Sequence, residues 1–438
     1  MKFIRYLLVL FAATWFTSCS VNKKLTKGIQ QLNADTLFNS AHIGFILQHE
    51  KTGKVLVAHN ADKFFIPASN TKLLTTYAVL KTYPDSLEGW FFHETADTLL
   101  LKPNGDPTFL NDSFPLQKIF QKIVSTPKVV VIEKTVSSAF SRLGSGWSWS
   151  SYQESYMPER LAMPIYGNVV KFKVQNGTIE VFPSYFRNSI TVNPFPTGKK
   201  ISVSRAADHN AFTTNAAAAN ALLRPFTQKE DPSIAYHLLA DTLAKRNKTI
   251  HFVESQNRNS DFWKPFYTQK TQEVLQPMMH NSDNFLAEQL LLMAGSKLTG
   301  KLSDRLTISK LQKEDFKDFS QPFIWVDGSG LSRNNNISPR VISELLLKMK
   351  TEFGWDKISA VLQKGNEGTV KGYYKGYENN IWSKTGTLGG SSTTLSGYLI
   401  SKKGNNYTFS FLVNNHHKSA VAVRKAIEKY LVNIIDNY

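Results

Sequence analysis

The sequence predicts an α+β protein, an antiparallel five-stranded sheet flanked by helices and interrupted by a large, mainly β insertion. Three observations predict it. Strand-like runs stand near both ends, over residues 42–59, 395–400 and 407–414. A last stretch repeats Ala420, Val423, Ile427, Tyr430, Leu431 and Ile434 along one helical face, the pattern of a C-terminal helix packed on a sheet. Between residues 89 and 227, short strand-like runs at 99–101, 129–132, 179–182 and 201–203 are instead punctuated by Pro, Gly and Asn.

Taken in order, the elements begin with a basic start, Met1-Lys2-Phe3-Ile4-Arg5, and an apolar run over 6–16. That run is too short to span a bilayer and reads as an export signal over residues 1–18. Cys19 follows Phe16-Thr17-Ser18, as in a bacterial lipoprotein cleavage site, and is expected to become a lipidated first residue on a tether over 19–38 that contains a short helix. Two strands follow, joined at Lys51-Thr52-Gly53 by a hairpin turn. Pro67 precedes Ser69, and Leu73, Leu74, Tyr77, Ala78 and Leu80 predict a helix opened by that serine. Beyond the insertion, Ile234, Leu238, Leu239 and Leu243 mark a helix near Asp231-Pro232, with further helices over 271–279, 283–294 and 339–353. Lys384 stands on a strand that runs into Gly389-Gly390. The resulting division is 39–88 with 228–438 as the core domain and 89–227 as the inserted module.

Composition narrows the function. A chain of 438 residues with 42% hydrophobic residues can bury a large core in two or three domains. The formal charge of +18 comes from scattered lysines and arginines without a basic block interleaved with aromatics. That pattern, and export, argue against nucleic acid and for a solvated surface drawn to an anionic envelope. One cysteine allows no intrachain disulfide. His416-His417 has no carboxylate at metal spacing and no His-Glu-x-x-His string occurs, so neither metal nor cofactor is expected.

The chemistry rests on three motifs in order: Ser69-Asn70-Thr71-Lys72, Ser282-Asp283-Asn284 and Lys384-Thr385-Gly386. Serine is a poor nucleophile unless a base takes its proton, and a lysine three residues on in the first helical turn can reach its hydroxyl. Such a lysine is a base only when neutral, a state that burial and a nearby cation such as Lys384 favour. Each motif also occurs by accident: Ser20/Lys23 and Ser125/Lys128 match the first, Lys51-Thr52-Gly53 the third. Context separates them, because Pro127 opposes a regular turn after Ser125 and Lys51 sits between two strands. Singly, Ser69 could be a helix cap, Ser282-Asp283-Asn284 another, and Lys384 an edge-strand lysine. Their order is the signature of active-site serine enzymes that acylate on D-alanyl peptides or β-lactams.

The surrounding strings carry a more specific likeness. Pro67-Ala68-Ser69-Asn70-Thr71-Lys72-Leu73-Leu74-Thr75, Ser282-Asp283-Asn284-Phe285-Leu286-Ala287-Glu288-Gln289-Leu290-Leu291 and Lys384-Thr385-Gly386-Thr387-Leu388 resemble the serine D-Ala-D-Ala carboxypeptidase/endopeptidase family that includes penicillin-binding protein 4. Gly105-Asp106-Pro107-Thr108 and Asp327-Gly328-Ser329-Gly330-Leu331-Ser332-Arg333 extend the resemblance, although both read locally as turns and are assigned no catalytic role. The resemblance implies a β-lactamase/transpeptidase-like core, with the insertion between the first two motifs. It also implies Ser69 as nucleophile, Lys72 as base, Ser282 as proton relay, and Asn284, Lys384, Thr385, Gly386 and Thr387 as substrate-binding residues, with the Ser69 and Thr387 N–H groups as an oxyanion hole. Expected partners are peptidoglycan stem peptides and β-lactams, and a membrane, that of the bacterial envelope and the outer one by preference, through Cys19. Relatives that prefer diaminopimelate peptides carry an aspartate in a Trp-x-Trp segment, where this chain has Trp147-Ser148-Trp149-Ser150-Ser151. The alternatives are a serine β-lactamase, disfavoured by the lack of a Glu-x-x-Leu-Asn string, and a catalytically silent envelope-binding lipoprotein, disfavoured by the intact motifs.

Overall fold

The computed structural model describes residues 23–36, 38–135, 139–175, 178–193, 202–215, 219–256, 258 and 260–438. The export signal and Cys19 lie outside the described residues. A helix, α1 (23–34), buries Leu25 and Ile29, and the Leu25 carbonyl accepts from the Tyr430 hydroxyl at 3.1 Å. This segment is therefore docked on the body rather than a free tether, because its two apolar residues one turn apart face the final helix.

Strands β1 (His42–His49) and β2 (Val55–His59) form the expected hairpin, and α2 (Lys72–Thr82) follows. The chain then leaves the core through β3 (Ser86–Glu94), β4 (Thr98–Pro103), α3 (Lys118–Ser125) and β5 (Val129–Glu133). Two three-stranded sheets come next, built from β6 (Val169–Gln175), β7 (Thr178–Phe182), β8 (Ile190–Val192), β9 (Val203–Arg205), β10 (Phe212–Thr214) and β11 (Ala219–Pro225). After α4 (Ile234–Ala244), strands β12 (Ile250–Val253) and β13 (Lys264–Lys270) return to the first inserted sheet, whose order is β12-β5-β4-β3-β13.

That topology moves the predicted boundary. Residues 228–270 belong with the insertion, since β12 pairs with β5 in parallel and β13 pairs with β3. Ile234, Leu238, Leu239 and Leu243 of α4 are buried in one cluster with Trp90, Leu99, Phe172 and Phe226. The helical periodicity of α4 was legible, but which sheet it covers depends on strand pairings remote in sequence.

The core resumes with α5 (Thr271–His280), α6 (Asn284–Thr299), α7 (Asp304–Glu314), α8 (Pro339–Phe353) and α9 (Trp355–Val361). It closes with β14 (Gln363–Lys364), β15 (Ile381–Leu388), β16 (Ser392–Ile400), β17 (Asn406–Asn414) and α10 (Ala420–Asn437). The core sheet has six strands, β14-β15-β16-β17-β1-β2, where five were predicted. The sixth is a two-residue edge strand, too short to show alternation. One face packs α1 and α10 on Phe45, Leu47, Phe409 and Phe411, and the other packs α2, α5, α6 and α8 around Tyr398 and Leu412. Each such side chain, fully buried, contributes roughly 1.5–3 kcal/mol. Helix α6 is buried from Phe285 through Gly295, so its position, and with it Asn284, is fixed on all sides.

Candidate active site

The first motif occupies the joint between a 3₁₀ turn, Ala68–Thr71, and α2. Ser69 thus lies one turn ahead of the regular helix, and Lys72 is the helix's first residue. The turn is pinned to the sheet: the Asn70 amide donates to the Lys384 carbonyl at 2.9 Å, and the Thr394 hydroxyl donates to the Pro67 carbonyl at 3.0 Å. Ser69 remains partly exposed while Lys72 is fully buried.

The second motif is held at the start of α6. Asp283 caps the helix by accepting from the Leu286 N–H at 2.9 Å, and Ser282 before it takes φ +56°, an unusual conformation for a residue with a side chain. The third lies on β15, paired with β16 in the register Lys384 with Ser396 and Gly386 with Thr394. A methyl group on Gly386 would meet the Thr394 hydroxyl and come within 2.9 Å of the Ser69 nitrogen. Glycine there lets the strand approach the serine turn.

All three motifs converge. The Lys72 amine lies 3.1 Å from the Ser69 hydroxyl, 2.6 Å from Asn284 Oδ1 and 2.8 Å from the Ser329 carbonyl. The Lys384 amine donates to the Ser282 hydroxyl at 2.9 Å and to the Thr385 carbonyl at 2.8 Å. The Asn284 amide nitrogen donates to the Tyr156 carbonyl of the inserted module at 2.9 Å, the Thr385 hydroxyl lies 2.5 Å from that of Thr369, and Arg424 of α10 donates to the Thr387 hydroxyl at 2.7 Å. A cleft of about 550 Å³ opens beside Ser282, bounded by Asn284 and Phe285 of α6 and by Tyr156, Tyr166 and Phe182 of the module.

Burial lowers the proton affinity of the Lys72 amine to a pKa of about 8, against the pull of Asp283, Asp327 and Glu288. Lys384 is lowered well below the usual lysine range by burial and by the cations Lys72 and Arg424. Burial lowers Lys72 as expected, but the charged groups that act on it are three carboxylates, which oppose that lowering, rather than a neighbouring cation. A neutral Lys72 has two N–H groups for Asn284 and Ser329 and one lone pair to face the Ser69 proton.

The decoys are elsewhere. Lys51-Thr52-Gly53 is the exposed tip of the β1–β2 hairpin, and Ser125 ends α3, with Lys128 paired to Glu94 at 3.1 Å. The sequence reading missed the loop at 327–330. Asp327 accepts from the Gly330 N–H at 2.9 Å and the Ser332 N–H at 2.6 Å, as a turn residue does, yet the loop delivers the Ser329 carbonyl to Lys72. Gly330 has φ +85°, and any Cβ there would run into the Ala68 carbonyl beside Ser69. Its Asp-Gly-x-Gly string is the signal that this loop packs against other backbone. Trp147 of the Trp-x-Trp segment donates to Asp327 at 3.0 Å, whereas Trp149 is exposed.

The family model for D-Ala-D-Ala carboxypeptidase 3 (S13) matches residues 25–438. A D-alanyl-D-alanine carboxypeptidase of Actinomadura sp. (strain R39) is 23% identical, over 92% of this chain and 84% of its own. Among solved structures, penicillin-binding protein 4 of Haemophilus influenzae superposes with a TM-score of 0.70 at 19% identity, covering 95% of this chain and 99% of its own. A predatory endopeptidase of Bdellovibrio bacteriovorus, solved acylated by penicillin G, superposes at 0.51 and 14% identity, covering 90% and 92%. The chain belongs to the D-Ala-D-Ala carboxypeptidase 3 (S13) family and is a serine hydrolase of that kind.

Proposed function

We propose that the enzyme removes the terminal D-alanine of peptidoglycan stem peptides, or cuts D-alanyl cross-links, through an acyl-enzyme at Ser69. The observation that carries this reading is the Lys72 amine 3.1 Å from the Ser69 hydroxyl, with Lys384 bonded to Ser282 at 2.9 Å. Ser69 Oγ attacks the carbonyl carbon of the penultimate D-alanine, and its proton passes to neutral Lys72. Backbone N–H groups of Ser69 and Thr387 receive the oxyanion, each worth roughly 3 kcal/mol in the transition state. The carbon–nitrogen bond then breaks. Ser282, whose oxygen already accepts from Lys384, gives its own proton to the leaving nitrogen and takes in its place the one Lys72 received, which leaves Lys72 neutral again. Water then attacks the ester, Lys72 takes the water's proton and returns it to Ser69 Oγ as the ester carbon–oxygen bond breaks, and Ser69 is regenerated.

Asn284 holds the substrate backbone, and Lys384, Thr385 and Gly386 receive its terminal carboxylate. That carboxylate supplies the negative charge which the buried Lys384 lacks in the free enzyme, so binding favours an anionic chain end. A β-lactam presents a carboxylate and a reactive carbonyl in the same relation, and the penicillin G acylated Bdellovibrio endopeptidase shares the fold. Penicillin therefore acylates Ser69. The basic start, apolar run and Cys19 support a lipid-anchored protein on the periplasmic side of the envelope.

Incubation with a fluorescent penicillin tests the nucleophile: wild type is expected to be labelled and Ser69→Ala not, and equal labelling would refute the assignment. Digestion of purified muropeptides separates the two reactions, free D-alanine marking trimming and conversion of dimers to monomers marking cross-link cleavage. Intact mass of membrane-fraction protein tests the anchor, since an unmodified mature start would remove it.

A further inference from the structure

Two buried side chains bear on Lys72 without a part in the chemistry above. Glu288 stands on α6 one turn beyond Asn284 and is 1% exposed. Its Oε1 accepts the Ser329 N–H at 2.8 Å, and its Oε2 lies 3.3 Å from Arg160. Arg160 comes from the inserted module, is 2% exposed, reaches Asp304 of α7 at 2.5 Å and donates to the Ser141 carbonyl at 2.8 and 3.0 Å.

The loop between Glu288 and Lys72 cannot turn freely, because both of its peptide groups are held at both ends. In the first, the Gly328 carbonyl accepts from Thr75 at 2.6 Å and the Ser329 N–H donates to Glu288. In the second, the Ser329 carbonyl accepts from Lys72 at 2.8 Å and the Gly330 N–H donates to Asp327 at 2.9 Å. Glu288 therefore acts on Lys72 by its charge and through a fixed backbone.

We infer that Glu288, clamped by Arg160 of the inserted module, is a positioning residue that fixes the Lys72 amine and sets the pH range in which that amine serves as base. The inference rests on the reading of Lys72 as the base for Ser69. It gives the module a task at the reaction centre that no module residue touching substrate need perform. The charged groups facing Glu288 are Arg160 from the module, Asp304 from α7 and Asp327 from the 327–330 loop. Lys72 of α2 and Asp283, the cap of α6, lie one neighbour further on, with Lys384 beyond Lys72. Burial and Asp327 push the Glu288 carboxyl up to about 7 while Arg160 opposes them. In its ionised form Glu288 raises the proton affinity of Lys72.

The experiment is the pH dependence of acylation by a fluorescent penicillin, measured on the full chain. Glu288→Gln keeps an oxygen for the Ser329 N–H and removes the charge. The acid limb of the acylation rate is expected to move to lower pH by roughly half to one unit, since Lys72 then releases its proton more readily. The double variant Glu288→Gln/Arg160→Met removes both charges of the Glu288–Arg160 pair, leaving the partly exposed Asp304 without its arginine, and is expected to shift the limb the same way if the single variant folds poorly. An unmoved limb in either folded variant overturns the inference, as does a lower plateau alone, which is what loosened packing would give. Wild type that is not acylated at any pH would overturn the functional reading instead.

Discussion

The same tripeptide occurs twice in this chain in opposite surroundings. Lys51-Thr52-Gly53 is an exposed hairpin tip, where Gly53 takes φ +66° and nothing lies within 4 Å of where its Cβ would be. Lys384-Thr385-Gly386 lies on β15, one strand in from the edge of the core sheet, Lys384 is fully buried, and Gly386 abuts the backbone of Ser69. One glycine is required by its own torsion angle, the other by a neighbour's approach. One lysine is solvated. The other has lost its water, keeps two oxygen partners and is depressed in proton affinity by burial. Identical residue types acquire chemistry only where packing strips them of solvent and aims them at a partner.

The strongest break of this contrast is removal of what the buried copy faces. Ser69→Ala should lower D-alanine release by about 10⁴-fold or more while the hairpin and fold stay intact, as comparison of kcat/KM with circular dichroism would show. Next, Lys384→Ala should lower kcat/KM by about 10²-fold or more if Lys384 is the proposed carboxylate anchor. Lys51→Ala should leave it unchanged, and equal losses in the two would erase the distinction.

Gly386→Ala and Gly53→Ala sharpen it further. The first should cut acylation by about 10²-fold by forcing the strand away from Ser69. The second should cost about 1 kcal/mol of stability from a strained positive φ and leave the rate alone, as paired melting and labelling experiments would reveal. The smallest effect is in pH. Lys72 is a base only without its proton and its pKa is lowered to about 8, so acylation should rise with pH and level off above about 8. A rate that instead rose only near the ordinary lysine range would show that burial does not lower it.

Much of this was legible in the chain. Periodicity placed α8 at 339–353 as observed, the β1–β2 hairpin, the strand and loop around Lys384, and the C-terminal helix, whose buried face is Val423, Ile427, Tyr430, Leu431, Ile434 and Ile435. The order of the motifs selected Ser69, Lys72, Ser282, Asn284 and Lys384, and the structure bonds Lys72 to Ser69 and Asn284, and Lys384 to Ser282, the two groups being joined where Asn70 donates to the Lys384 carbonyl. Helices α7 and α9 escaped because α7 carries a mostly polar surface and α9 is only seven residues long.

Local order is written in neighbouring residues, so turn chemistry, helix faces and the identity of reactive groups followed from the amino-acid sequence alone. Pairings between distant segments are not. Only tertiary structure decided that β12 and β13 close the inserted sheet, that the loop at 327–330 presents its Ser329 carbonyl to Lys72, and that Arg160 of the module reaches Glu288. The physical reason is that desolvation and charge coupling depend on what packs around a group in space. A lysine's proton affinity is therefore a property of the folded cleft and not of its place in a motif.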